Sequence, residues 1–163
     1  MQNLTIEKAE LNDLPKMMEI YAYAREFMKK TGNPNQWSDK FPEEAVLRDD
    51  IQAGNLYVIK ENGAIHAVFA LIIGEDPTYA HIEQGAWHSD APYGTIHRIA
   101  GDGTIHGIFA LVTEFCSGKI SHLRVDTHRD NQVMQHLILR NGFEECGVIY
   151  VADGTPRLAY EKL

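Results

Sequence analysis

The stretch Thr95-Ile-His-Arg-Ile-Ala-Gly-Asp-Gly-Thr-Ile-His-Gly-Ile-Phe109 reads as a strand, a glycine-rich turn and the start of a helix. The first amides of a helix have no intrahelical acceptor and carry partial positive charge. Glycines just before them let a ligand come close to the backbone, which makes the stretch a candidate diphosphate site. It is not a P-loop, since the lysine is missing. It is not Gly-x-Gly-x-x-Gly either, because His106 falls in the third glycine's place. A second stretch, His122-Leu-Arg-Val-Asp-Thr-His-Arg-Asp-Asn131, continues a strand over Ile120–Thr127. Asp130 or Asn131 then caps a helix through Arg140, with Val133, Met134, Leu137 and Ile138 apolar, and Asn141-Gly142 ends it.

The rest of the chain frames these two segments. Leu4–Ala9 is a short strand. Asn12 or Asp13 caps a helix with Pro15 in its first turn. Leu14, Met17, Met18, Tyr21, Ala24 and Met28 follow its helical period, Lys29 and Lys30 suit its C-terminal dipole, and Gly32 closes it. Thr31–Trp37 is loop, and a second helix runs from Pro42 to Gly54 with Val46, Leu47 and Ile51 on one side. Leu56–Lys60 and Ala64–Ile73 flank Asn62-Gly63, the pair that supplies the positive φ values of a tight hairpin. Gly74–Gly94 is irregular, with His81-Ile82-Glu83 as a short strand inside it. A loop of that length in a small domain is functional or hides an element. Thr95–Ala100 is strand, Gly101–Thr104 turn and Ile105–Phe115 helix. The last strands are Glu145–Val151 and Leu158–Lys162. The order β-α-α-β-β-β-α-β-α-β-β calls for a mixed α/β (α+β) fold, one mixed sheet with helices on both faces.

At 163 residues the chain is one domain, 1–163, long enough to bury roughly 70% of its unfolded surface without disulfides or metal. Fifteen basic against 23 acidic residues give a net charge of −8, which argues against nucleic acid as a partner. The longest apolar run, Ala67–Ile73, falls far short of the ~20 residues a membrane span needs, so no membrane partner is expected. The first residues carry charges from Glu7 and no apolar signal core. Two cysteines, Cys116 and Cys146, are too few for a disulfide framework and read as free thiols in a reducing, cytoplasmic setting. The eight histidines are scattered, with no His-Glu-x-x-His and no cysteine cluster, so no metal is expected. Asp126-Thr-His128 lacks the serine elbow of a hydrolase and reads as backbone-satisfying structure. Arg157 reads as a surface or sheet-edge charge.

The two central segments together resemble the GNAT superfamily of acetyl-coenzyme A-dependent N-acetyltransferases. In that family a strand, a pyrophosphate loop of the form Gln/Arg-x-x-Gly-x-Gly/Ala and a helix are followed by a strand and a helix opened by Asn. Gly-Phe comes eleven residues after that Asn, the spacing here from Asn131 to Gly142-Phe143. The resemblance covers nearly the whole chain, and Tyr93–Leu163 is its specific part. The loop can be registered in two ways. Arg98-x-x-Gly101-x-Gly103 starts inside the strand. Thr104-Ile-His-Gly-Ile-Phe109 keeps Gly107 but replaces the other positions, and it is preferred because it sets the amides of Ile105, His106, Gly107, Ile108 and Phe109 at the helix start. The Phe109 ring would narrow a diphosphate site unless it turns into the core.

The resemblance implies a mostly antiparallel sheet whose two central strands splay apart, acetyl-CoA as co-substrate, and direct attack by an amine on the thioester. Backbone groups around His97 and Ile99 would hold the pantetheine arm and polarise the carbonyl, and Asn131 would bond the arm from the other side. The family's usual acid, a Tyr seven residues after the helix Asn, is replaced by Ile138. Tyr150 is the candidate acid, and His97 or Glu83 the candidate base. Trp37 and Trp87 flank the acceptor side. The expected acceptor is a primary amine on a small molecule or peptide, and a homodimer is a further expected assembly. The alternative reading is a catalytically silent acyl-CoA-binding sensor of the same fold, motivated by Thr104, Phe109 and Ile138.

Overall fold

A computed structural model describes residues 3–163. Asn62 and Gly63 both take positive φ, 51° and 86°, and close a hairpin between β2 (Leu56–Glu61) and β3 (Ala64–Ile73). Antiparallel pairing extends this hairpin to β1 (Leu4–Lys8) on one side and β4 (Gly94–Gly101) on the other. The second half contributes β5 (Leu123–Thr127), β6 (Glu144–Tyr150) and β7 (Pro156–Lys162), giving one sheet in the order β1-β2-β3-β4-β5-β7-β6. Four helices cover it: α1 (Leu14–Lys30), α2 (Glu44–Ala53), α3 (Ile108–Ser117) and α4 (Gln132–Arg140). None is long and apolar enough to cross a membrane.

Strand alternation divides the core in two. Val68 and Ala70 of β3 face α1 and α2, joining Met17, Ile20, Tyr21 and Leu47. Their neighbours Ala67, Phe69 and Leu71 face α3 and α4, joining Phe109, Val112, Leu123 and Ile138. A third, smaller cluster of Tyr79, Tyr93, Ile149 and Ala159 lies under the long 74–94 segment.

The contact between β4 and β5 positions the site. These strands run parallel and pair over only Gly94–Leu123 and Thr95–Arg124, after which they part. A bulge in β4 drives the separation. Val68 pairs with Ala100 and Ala70 with His97, which leaves Arg98 and Ile99 together opposite Phe69. Arg98 sits at φ +51°, a region that costs a non-glycine residue ~1 kcal/mol or more. Two contacts hold it there: its guanidinium is 2.8 Å from Asp50 on α2, and its carbonyl accepts the Tyr21 hydroxyl at 2.7 Å. A bulge bends and twists its strand. Here the bend takes β4 away from β5.

The element order matches the sequence expectation, and several boundaries shift. The α3 helix begins at Ile108 rather than Ile105, because Gly107 adopts φ +73° and the Asp102 carboxylate binds the Thr104 amide in a turn. The β5 strand begins at Leu123 rather than Ile120, whose amide still closes the end of α3 on Cys116. In the long segment, only Glu83 of the proposed 81–83 strand bridges, to Val148. The hidden element is instead a single 3-10 turn over Pro77–Tyr79, capped by Asp76. Arg157 is a correction as well: β7 lies between β5 and β6, and Arg157 is buried with its guanidinium on the Gln36 carbonyl.

Candidate active site

The parted strands open onto a cleft of about 840 Å³ bounded by α1, β4, the start of α3 and the face of α4. Gly107 caps α3 with no side-chain bond to the helix, and no acidic residue occupies the first turn. The amides of Ile108, Phe109 and Ala110 therefore lack intrahelical acceptors, and all three residues line the cleft. A Cβ built on Gly107 would meet nothing within 4 Å, so the backbone there borders open space. Among the described residues no Asp or Glu lines the cleft, while His106 and Arg140 do. In a chain of net charge −8, that is local electrostatics suited to an anion.

Phe109 turns inward: it is 2% exposed and packs its ring 5.8 Å from Phe143. Its amide stays at the cleft while its ring leaves the cradle free. Thr104 stays in the preceding turn, its amide held by Asp102, and the amides of Ile105 and His106 precede the helix rather than open it. The rival register fails, because the Arg98 side chain is paired with Asp50. On β4, Ile99 lines the cleft wall, and the strand edge from His97 onward has no β5 partner. Asn131 caps α4, accepting the Met134 amide at 3.0 Å, and its amide nitrogen donates to Gln36 Oε1 at 2.9 Å. The side chain expected to hold a pantetheine arm is thus already engaged on both atoms.

His97 itself lines neither the cleft nor a second crevice, but its Nε2 is 2.9 Å from Oδ2 of Asp76, which borders that crevice. The other Asp76 oxygen accepts from the amide and the hydroxyl of Thr78. Burial raises the Asp76 pKa, but the bonds from His97 and Thr78 outweigh it and bring the carboxyl down to about 2. An ionised carboxylate only accepts, so the Nε2–H of His97 donates to it and the ring is oriented by this bond. The crevice has a volume of about 580 Å³, and its walls include Glu75, Asp90, Tyr79, Trp87 and Arg124. The Arg124 guanidinium is stacked 3.9 Å from the Trp87 ring and 4.0 Å from that of Tyr93. Tyr79 is buried and donates to Asp126 at 2.6 Å. Burial and that carboxylate hold its hydroxyl protonated well above the usual range.

The structure brings His97, Ile99, the 104–109 loop and Asn131 to the splayed strands, and leaves Tyr150 and Glu83 away from them. Tyr150 lies on β6, the outer strand beyond β7, exposed and under the influence of the Glu83 carboxylate. That carboxylate raises the Tyr150 pKa, which makes it a poorer acid. Neither residue lines the cleft or the crevice. Trp37 packs with Tyr21 and Phe41 against α1 and lines neither cavity, whereas Trp87 does line the crevice. Ile138 is fully buried among α3 and sheet residues. Sequence reading missed Asp76 and Gln36. The run Asp76-Pro77-Thr78 marks a capped turn, yet nothing in it points 21 residues ahead to His97. Gln36 Oε1 gathers Asn33, Asn131 and, at 3.4 Å, Thr127, tying the 31–41 loop to the tip of β5.

Asp76 gives the chain a defined acid dependence. Its folded value of about 2 lies below the ordinary 3.8, so its ionised form stabilises the fold above pH 3.8. That contribution is lost as the pH falls through 3.8 towards 2. Melting temperatures across this range should fall less steeply for Asp76→Asn than for the native chain. Parallel curves would show that Asp76 is not held by these bonds.

No protein-family profile matches the sequence, and no curated protein does. Among solved structures, a GNAT family acetyltransferase from Streptococcus agalactiae is 34% identical and superposes with a TM-score of 0.85, covering 98% of this chain and 95% of its own. A GNAT family acetyltransferase from Listeria monocytogenes is 18% identical at a TM-score of 0.71, over 98% and 94% of the two chains. An N-acetyltransferase from Staphylococcus aureus is 16% identical at 0.60, over 99% and 98%. The two more distant structures share the fold. With the first relative matched over nearly its whole length, on a sheet that parts beside an uncapped helix start, the chain belongs to the GNAT family of acetyltransferases.

Proposed function

We propose that this acetyltransferase uses acetyl-CoA to acetylate the primary amine of a small cationic molecule or an amino terminus. The observation that carries the reading is the carboxylate-free cleft onto which the uncapped amides of Ile108, Phe109 and Ala110 open. These amides and the N-terminal dipole of α3 would hold the diphosphate, and the unpaired edge of β4 the pantetheine arm. Once bound, acetyl-CoA supplies an electrophilic thioester carbonyl.

The remaining chemistry belongs to the chain. The acceptor enters through the crevice, where the carboxylates of Glu75, Asp76 and Asp90 outnumber Arg124 and favour a cation. His97 Nδ1 takes a proton from the attacking amine while Asp76 fixes the tautomer through Nε2. The nitrogen–carbon bond forms as the carbon–sulfur bond breaks, and the departing thiolate takes its proton from solvent. Neither the buried Ile138 nor the distant Tyr150 is suited to supply it.

Calorimetric titration with CoA, paired with a thiol-release assay over a panel of cationic, neutral and anionic amines, tests the reading. The expected result is saturable CoA binding, with thiol released fastest in the presence of cationic amines. CoA binding without amine-dependent release across the panel would instead identify a silent acyl-CoA-binding module.

A further inference from the structure

Outside the cleft, the fold gathers three metal-ligating side chains from three segments. His88 comes from the long 74–94 segment, Cys146 from β6 and Glu161 from β7. One nitrogen of His88, Sγ of Cys146 and a carboxylate oxygen of Glu161 lie within 4.8 Å of one another. Particular separations are shorter: His88 Nε2 is 3.8 Å from Sγ, and His88 Nδ1 is 3.9 Å from Glu161 Oε1. Donors ~2.0–2.3 Å from a tetrahedral ion stand ~3.3–3.8 Å apart, so drawing the trio in from 4.8 Å around a single His88 nitrogen takes shifts of about 1 Å.

Three features make this more than an accident of packing. The β6–β7 register slips between Glu145 and Gly147, and the resulting bulge leaves Cys146 beside Glu161. Such a bulge re-aims a side chain. Next, Glu144 pairs directly with Glu161 across the strands, and like charges so placed repel. The exposed Glu144 carboxylate is also 3.4 Å from His88 Nδ1, outside the mutually close trio but on a side chain free to rotate towards it. Finally, Glu161 is oriented from behind. Its Oε2 accepts from His122 at 2.9 Å and Arg124 at 3.0 Å, while Oε1 has only the His88 amide at 2.8 Å and keeps a lone pair. Metal-binding carboxylates are commonly oriented by such partners.

We propose that His88, Cys146 and Glu161, completed by Glu144, bind a zinc ion that fastens the long 74–94 segment to the outer strands of the sheet. Thiolate, imidazole and carboxylate together suit zinc, whereas magnesium and calcium prefer all-oxygen sites. The His88 side chain is 38% exposed, which gives the ion a route in, and the other two principal ligands are buried. The ligands stand 58 and 15 residues apart along the chain, spacings that no sequence motif marks. None of the three ligands lines the crevice that Asp76 borders. The site therefore governs how the segment is held rather than the chemistry itself.

Chelator-stripped full-length protein titrated with zinc should show one tight equivalent, absent in Cys146→Ala and at least ~10-fold weaker in His88→Ala. At ~100 times its dissociation constant, zinc should raise the melting temperature by roughly 5–10 °C. Cobalt in place of zinc should give a thiolate-to-metal charge-transfer band in the native protein and none in Cys146→Ala. No zinc uptake by the native chain, or equal uptake by Cys146→Ala with no cobalt band, would overturn the proposal. The second outcome would place the ion on surface histidines. Should Cys146→Ala fail to fold, His88→Ala decides, since that partly exposed ring can be removed without opening the core.

Discussion

Gly107→Glu should lose CoA binding by at least ~100-fold while folding normally. The substitution has two separable costs. The first is conformational: Gly107 sits at φ +73°, where any side chain costs ~1–2 kcal/mol. Because its Cβ would meet nothing within 4 Å, no steric clash adds to this. The melting temperature should therefore drop by only roughly 2–8 °C for a chain of this size. The second cost is electrostatic. A carboxylate at the mouth of the cradle lies beside the site proposed for a diphosphate, and like charges 4 Å apart repel by about 4 kcal/mol at an effective dielectric of 20. Gly107→Ala isolates the first cost: it should reproduce the loss in melting temperature and keep most of the CoA affinity. Calorimetry on both variants decides. Undiminished affinity in Gly107→Glu would mean that the start of α3 is not where the coenzyme's charge rests.

His97→Gln should lower kcat/KM for the amine by ~10²–10⁴, the usual contribution of a positioned base, while leaving CoA affinity unchanged. The glutamine amide can still donate to Asp76, so the 2.9 Å contact and the local fold survive, and only the proton acceptor is removed. The pH profile is the sharper readout. In the native enzyme kcat/KM should climb with pH, as a general-base step requires, and in His97→Gln that rise should vanish. A loss of activity below tenfold, with the rise intact, would assign the base to another residue. Asp76→Asn should give an intermediate loss, since it removes the group that fixes the ring's tautomer rather than the acceptor itself.

The sequence carried this fold because its local signals and its global pattern agree. Asn62-Gly63 demands a hairpin, Asn131 demands a helix start, and Val68 and Ala70 alternate with Phe69 and Leu71 as a strand buried on both faces demands. The cradle was legible for the same reason: glycine before a helix is a local fact. Its one wrong boundary, Ile105 for Ile108, came from reading apolar residues as helical where Gly107 in the left-handed region breaks the pattern. The acceptor face was hidden because it is assembled over distance. His97 and Asp76 are joined across 21 residues, and Gln36 and Asn131 across 95. Tyr150 looked suitable as an acid because it follows the right helix. Strand order, which no local pattern encodes, places it on the outer strand beside Glu83.

The central claim is that the uncapped start of α3 receives a diphosphate while β4 offers its free edge to the arm behind it. A crystal structure of the complex with CoA tests this most directly. The prediction is phosphate oxygens within ~3.2 Å of the amide nitrogens of Ile108, Phe109 and Ala110, with the thiol end beside the bulge at Arg98–Ile99. Coenzyme bound elsewhere, with those three amides hydrated, would contradict it.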